Sequence, residues 1–280
     1  MLEFEGKVAV VTGAGSGIGR ALACRFGAEG MRVALGDIEP DAAAETAALI
    51  VEATPGAEVL VHPVDVSQAD RVTAFADAVF AEFGQVDVLC NNAGVFVGGF
   101  LWERPVADLE FVLGVNLWGI LNGLRAFVPR MIEQGTDGHI VNTVSIAGLL
   151  GSGYSGPYSI SKFAAFAATE SLAGDLAAVG SRIKVSALCP GVISTNIAKS
   201  HRNRPDHLST TSTDDQAFVD SMLDEVVPTG LDPAVVAGLV VDGIRAEEFV
   251  ILTHEHHADD ITKRATELVA RTLPSLADFT

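Results

Sequence analysis

The 280-residue chain carries 36 acidic against 18 basic residues, a formal net charge of −18, and 49% of its residues are hydrophobic. That charge weighs against nucleic acid and anionic membrane surfaces as partners, while the apolar content supplies a large core. The three cysteines, Cys24, Cys90 and Cys189, are odd in number and fall in expected helices or strands, so reduced core thiols are expected.

In chain order, Val8–Val11 reads as a short buried parallel strand. It runs into Thr12-Gly13-Ala14-Gly15-Ser16-Gly17-Ile18-Gly19 and then a helical pattern through Leu22, Phe26 and Gly30. Strand, glycine-rich turn and helix form the context of a dinucleotide fingerprint. Gly13 allows the tight turn, Gly17 lets the backbone approach a pyrophosphate, and Gly19 lets the helix pack on the sheet. The pyrophosphate would rest on the helix's N-terminal amides. A second strand, Arg32–Gly36, ends at Asp37, placed to accept hydrogen bonds from ribose hydroxyls and to repel a 2′-phosphate. Ser16 and Ile38 offer no offsetting cation, and Arg20 is expected to point outward, so NAD is favoured over NADP.

Further along, strands Val59–Val61 and Val86–Cys90 alternate with helix-length stretches at Asp41–Ala53, Gln68–Phe83, Val106–Gln134 and Pro157–Val179. That alternation predicts a Rossmann-like α/β fold: a doubly wound parallel sheet in three layers, read as one domain over residues 1–280. No apolar run is read as long enough to span a membrane, and the acidic start Met1-Leu2-Glu3-Phe4-Glu5 is unlike a signal peptide, so a cytoplasmic location is expected.

Tyr158 and Lys162 stand four apart, on one face of an expected helix. A free phenol, with a pKa of about 10, is protonated at neutral pH. An ammonium one turn away favours the phenolate and brings it toward the range useful for proton transfer. Ser145 is placed to hydrogen-bond a substrate oxygen from the other side.

These motifs together resemble the short-chain dehydrogenase/reductase family. TGxxxGxG matches Thr12 to Gly19, NNAG matches Asn91-Asn92-Ala93-Gly94, and the family's catalytic asparagine, serine, tyrosine and lysine match Asn116, Ser145, Tyr158 and Lys162. The turn after the sixth strand matches Pro190-Gly191, followed by Val192 and Thr195. The resemblance implies that Asp65 and Val66 hold the adenine edge, that Asn92, Ala93 and Gly94 let a ribose lie on the backbone, and that Thr195 bonds the nicotinamide carboxamide. It also implies that Lys162 binds the nicotinamide ribose and that Asn116 kinks its helix and holds a relay water. A homotetramer (or homodimer) built on helices 106–134 and 157–179, with Phe163 and Phe166, is implied as well.

The segments after Ser145 and after Gly94 are largely apolar and lack a cationic anchor, so Ser145, Ile146, Phe96 and Tyr154 are expected to line a pocket for a hydrophobic secondary alcohol or its ketone. The polar stretch within 194–228, ending in helix-spaced Ala217, Phe218, Met222, Leu223 and Val226, is expected to be a substrate lid before a helix at Pro233–Ile244. Residues 253–280 read as a C-terminal extension. Its His254-Glu255-His256-His257 lacks HExxH spacing and is expected to be a solvated surface, with no metal site. Two other readings stay open: a catalytically silent NAD-binding regulator or scaffold, and a nucleotide-sugar epimerase or dehydratase.

Overall fold

The computed structural model describes residues 3–275, so Met1, Leu2 and the last five residues of the expected C-terminal extension lie outside it. Seven strands, β1 (Val8–Thr12), β2 (Arg32–Asp37), β3 (Val59–Pro63), β4 (Val88–Asn91), β5 (Gly138–Thr143), β6 (Ile183–Cys189) and β7 (Val250–Leu252), form one sheet. Their order is β3-β2-β1-β4-β5-β6-β7, and every pairing is parallel. β1 and β4 are neighbours at the point where the strand order reverses, which is where such sheets open a crevice beyond their carboxyl ends.

Helices cover both faces. α1 (Gly17–Ala28), α2 (Pro40–Ala53) and α8 (Pro233–Ala246) bury Leu22, Phe26, Ile50, Val236 and Val240 on one face. On the other, α3 (Ala69–Phe83) contributes Phe75 and Val79, α5 (Gly119–Glu133) contributes Phe127 and Met131, and α6 (Gly156–Ala178) contributes Leu176. Leu22/Phe26 and Phe75/Val79 are i,i+4 pairs, the spacing that lays an apolar stripe along one helix face. Each such buried side chain contributes on the order of 2 kcal/mol of transfer free energy. α8 is started by Pro233 in its first turn and by Asp232, whose side chain accepts the Ala234 N–H at 2.8 Å.

The expected single helix 106–134 is interrupted. α4 (Val106–Leu113) passes into a π-helical turn at Gly114–Trp118 and then α5. The turn re-aims Asn116, a use such bulges serve at functional sites. This run also corrects the membrane expectation: 106–133 is long and apolar enough to cross a bilayer by length and composition. It is nevertheless half buried, and Asp108, Asn116 and Asn122 on it are buried with polar partners in the fold. The segment 194–228 folds into 3-10 turns at Ile197–Asn203 and Asp206–Leu208, then α7 (Asp214–Val226). The 253–275 stretch yields α9 (His257–Val269).

Candidate active site

The glycine-rich turn leaves β1 and enters α1 at the crevice. Gly17 sits at φ +52°, a region costly for other residues, and a Cβ there would stand 3.0 Å from Thr195 Cγ2. A Cβ on Gly19 would stand 2.0 Å from the Gly13 carbonyl oxygen, so any side chain would force α1 off the turn. Gly13 presses on the Asn92-Ala93-Gly94 segment, which Thr12 pins by accepting the amides of Asn92 and Ala93 at 2.9 and 3.2 Å. Thr143 at the end of β5 donates to Asn92 Oδ1 at 3.1 Å, so β1, β4 and β5 hold one rigid floor.

Asp37 ends β2, 8% exposed, with Oδ2 accepting the Gly15 amide at 2.7 Å and Oδ1 the Glu39 amide at 2.9 Å. Each carboxylate oxygen accepts about two hydrogen bonds, so both keep a lone pair for a ribose diol. The cleft is lined by Gly13, Ser16, Gly17, Ile18, Asp37, Ile38, Asp65, Val66, Asn92, Ala93, Gly94, Tyr158, Lys162, Pro190, Gly191 and Thr195, so these expected cofactor residues share one groove. Bare turn, helix N-terminus and acidic ribose position together fit the pyrophosphate and adenosine ribose of NAD. Gly19 packs α1 against the turn, as expected, and does not itself line the groove; Val192 turns its carbonyl to the Leu231 amide while Ile193 lines the groove in its place. Arg20 does not point outward. Its guanidinium folds back onto Gly15 O, Thr46 Oγ1 and Glu45.

At the other end of the groove α6 presents Tyr158 and Lys162 one turn apart. The Lys162 ammonium lies 5.6 Å from the Tyr158 ring centroid and donates to the Thr143 carbonyl at 2.9 Å. Burial pushes the Tyr158 phenol up to about 12, the Ser145 hydroxyl beside it pulling the other way, and burial pushes Lys162 down to about 8. The lysine therefore does not bring the phenol into the neutral range, contrary to the sequence expectation: removing water from each group is the largest cause of each shift. Ser145 accepts the Ala147 amide at 3.1 Å and donates to the Pro190 carbonyl at 3.4 Å. Asn116 spends its amide on the Val95 backbone (2.8 and 2.9 Å) and on Ser161 Oγ (2.9 Å). It still flanks Lys162, since a Cβ on Gly94 would lie 3.5 Å from Asn116 Oδ1 and 3.6 Å from Lys162 Nζ.

The apolar wall beside Tyr158 is made by Val95, from the segment expected after Gly94, together with Phe111, Val115, Ile197 and Leu208, which lie outside the expected pocket segments. Phe96 packs on Tyr158 with the rings tilted by 42° and 4.8 Å between centroids, and does not itself line the cleft. Ile146 gives its amide to Pro190 O and stays out of the lining. Tyr154 (φ +58°) joins an outer aromatic cluster with Phe100 and Phe218 and does not line the cleft. The 194–228 segment is clamped by buried charge: Arg104, 1% exposed, reaches both Asp215 oxygens at 3.0 Å and Gln216 at 3.1 Å, while Arg204 meets Asp108 at 2.6 Å. Arg202 crosses from the same segment to Glu39 beside the ribose position.

His254 and His257 are not simply solvated. Both pack against Gly191, and their pKa values are lowered chiefly by burial; at His254 the neighbouring imidazoles add to this, and at His257 a hydrogen bond to Asp260 opposes it. Donor atoms of His256, His257 and Asp260 lie within 4.8 Å of one another. Cys90 and Cys189 are buried and Cys24 half-buried, all three as free thiols. Burial pushes Cys189 up to about 12, which disfavours the reactive thiolate.

The short chain dehydrogenase family profile matches residues 7–206. A 1-deoxy-11-beta-hydroxypentalenate dehydrogenase of Streptomyces exfoliatus is 39% identical over 196 residues, 69% of this chain and 70% of that one. A CLA biosynthesis dehydrogenase/reductase of Lactiplantibacillus plantarum is 30% identical over 281 residues, 99% of this chain and 98% of its own. Among solved structures, a short chain dehydrogenase/reductase from Burkholderia phymatum in complex with NAD superposes with a TM-score of 0.96 at 41% identity, covering 99% of each chain.

Proposed function

The chain belongs to the short-chain dehydrogenase family, and from that premise we propose an NAD-dependent oxidoreductase that interconverts a hydrophobic secondary alcohol and its ketone. The carrying observation is that Tyr158, Lys162 and Ser145 meet where the dinucleotide groove opens onto the apolar wall of Val95, Phe111, Ile197 and Leu208. The NAD complex of the Burkholderia phymatum relative and the hydroxylated substrate named for the Streptomyces enzyme support this reading.

NAD, when bound, supplies the hydride acceptor. Tyr158 takes the hydroxyl proton in oxidation and returns it in reduction. Ser145 donates a hydrogen bond to the substrate oxygen, stabilising the charge that develops there. Lys162 carries a positive charge beside the phenol and holds a ribose hydroxyl. Asn116, with its π-helical turn, keeps the Val95 backbone and Ser161 fixed beneath the pair and serves the proton relay. Asp37 holds the adenosine ribose, Asp65 and Val66 the adenine edge, and Thr195 the carboxamide. The clamped segment over Ile197 and Leu208 keeps water from the reacting carbon.

We further propose a homotetramer, supported by apolar residues exposed on the two long helical stretches, among them Val106, Trp118, Ile132 and Ile160. Hydrophobic secondary alcohols offered with NAD, followed at the NADH absorbance, test the reaction. Turnover of apolar members is expected. Silence across steroid, terpenoid and aryl carbinols, with NAD still bound, favours the regulatory reading.

A further inference from the structure

Glu39 follows Asp37 by two residues and donates its amide to Asp37 Oδ1. Its carboxylate receives a two-pronged contact from Arg202, 163 residues away: Nε to Oε1 and Nη2 to Oε2, both 3.1 Å. The third nitrogen, Nη1, donates to the carbonyls of Asn196 and Lys199 at 3.4 and 3.1 Å. Both side chains are about one-third exposed, and both line the cofactor groove at its adenosine end. Among the described residues lining that groove, the cations are Arg202 and Lys162, and Lys162 is committed at the opposite end. Arg20, the other cation near the turn, is spent on Gly15 O, Thr46 and Glu45.

An exposed ion pair of this kind contributes about 0–1 kcal/mol to folding, so stability does not explain its place. Its consequence lies in what the fork is kept from doing. A guanidinium with two parallel N–H groups is the preferred partner of a phosphate, and it stands at the end of the groove where a 2′-phosphate would arrive.

We infer that Glu39 is a specificity-determining residue for the cofactor. It occupies the guanidinium fork of Arg202 and so withholds from a 2′-phosphate the one cation that reaches the adenosine end. Discrimination against NADP then has two parts: repulsion by Asp37, and the engagement of a cation that would otherwise reward the phosphate. This inference rests on the NAD-preferring reading above.

The test is a set of dissociation constants for NADH and NADPH, read by quenching of tryptophan fluorescence, on the full chain and on Glu39→Gln, Arg202→Gln and the double variant. Glu39→Gln is expected to tighten NADPH by about fivefold or more while moving NADH less than about threefold, and the double variant is expected to lose that gain. An NADPH constant unchanged in Glu39→Gln overturns the inference. So does a gain that survives in the double variant, because removing one negative charge would then explain it without Arg202. Asp37→Ala keeps the two levels separate. A parent protein that binds NADPH as tightly as NADH contradicts the NAD reading itself. Failure of Glu39→Gln with Asp37→Ala still narrowing the gap overturns only the role of the pair.

Discussion

Lys162 stands 5.6 Å from the centre of the Tyr158 ring, its ammonium held by the Thr143 carbonyl, and burial drives the two groups' pKa values apart, the phenol up and the ammonium down. The phenol is raised to about 12 and the ammonium lowered to about 8. The neutral phenol is thus the resting form at pH 7, the state suited to protonating a developing alkoxide.

The pH dependence follows in sign. Oxidation needs the phenolate, which gains population as pH rises toward a raised pKa; reduction needs the phenol, which persists over the same span. Between about pH 6 and about pH 8, where Lys162 keeps its charge, kcat/KM for alcohol oxidation should climb while that for ketone reduction does not. Initial rates in both directions check this, and an oxidation rate that declines over the span contradicts it.

Lys162 also links stability to pH. Its folded value of about 8 lies below its ordinary 10.5, so the unfolded chain binds the extra proton between those limits. The cost of burying the charge is fully present below about 8 and is relieved as pH rises through 10.5. Relative to Lys162→Met, the parent protein should therefore gain on the order of 1–3 kcal/mol between about pH 7 and about pH 11. Urea midpoints at several pH values measure it, and a constant difference would refute the assignment.

The clamp of Arg104 on Asp108 and Asp215 is nearly waterless. Arg104→Ala removes the cation from Asp215 and leaves Asp108 to Arg204 alone, and should cost about 2–4 kcal/mol. Amide exchange across 200–216 should quicken with it. A loss below about 0.5 kcal/mol would make the clamp a passive feature.

Assembly is open to a direct reading: light scattering should return about four times the 29.2 kDa chain mass at micromolar concentration. A 29.2 kDa particle would remove the proposed contact through Trp118 and Ile160.

The features legible in the sequence are those whose physics is local. The glycine turn, Asp37 closing β2 and the Tyr158–Lys162 pair each lie within one strand–turn–helix unit or one helical turn. β5 is hard to read from sequence because it buries His139, Asn142 and Thr143 among its apolar residues, breaking the continuous apolar run that marks a central strand. β7 has three residues and sits at the sheet edge. Tyr154 lies outside the cleft, at a left-handed backbone position with its ring against Phe218, an arrangement no spacing rule anticipates. Arg202–Glu39 and Arg104–Asp215 join residues more than a hundred positions apart, so only the folded chain brings them together.

The central claim is that the Tyr158 oxygen carries the proton while its ring mainly packs against Phe96. The most direct measurement is Tyr158→Phe, assayed for alcohol oxidation and for NADH binding on the same preparation. Turnover should fall by about 10²–10⁴-fold with the NADH constant within about threefold of the parent. A variant that keeps turnover within tenfold of the parent would contradict the account.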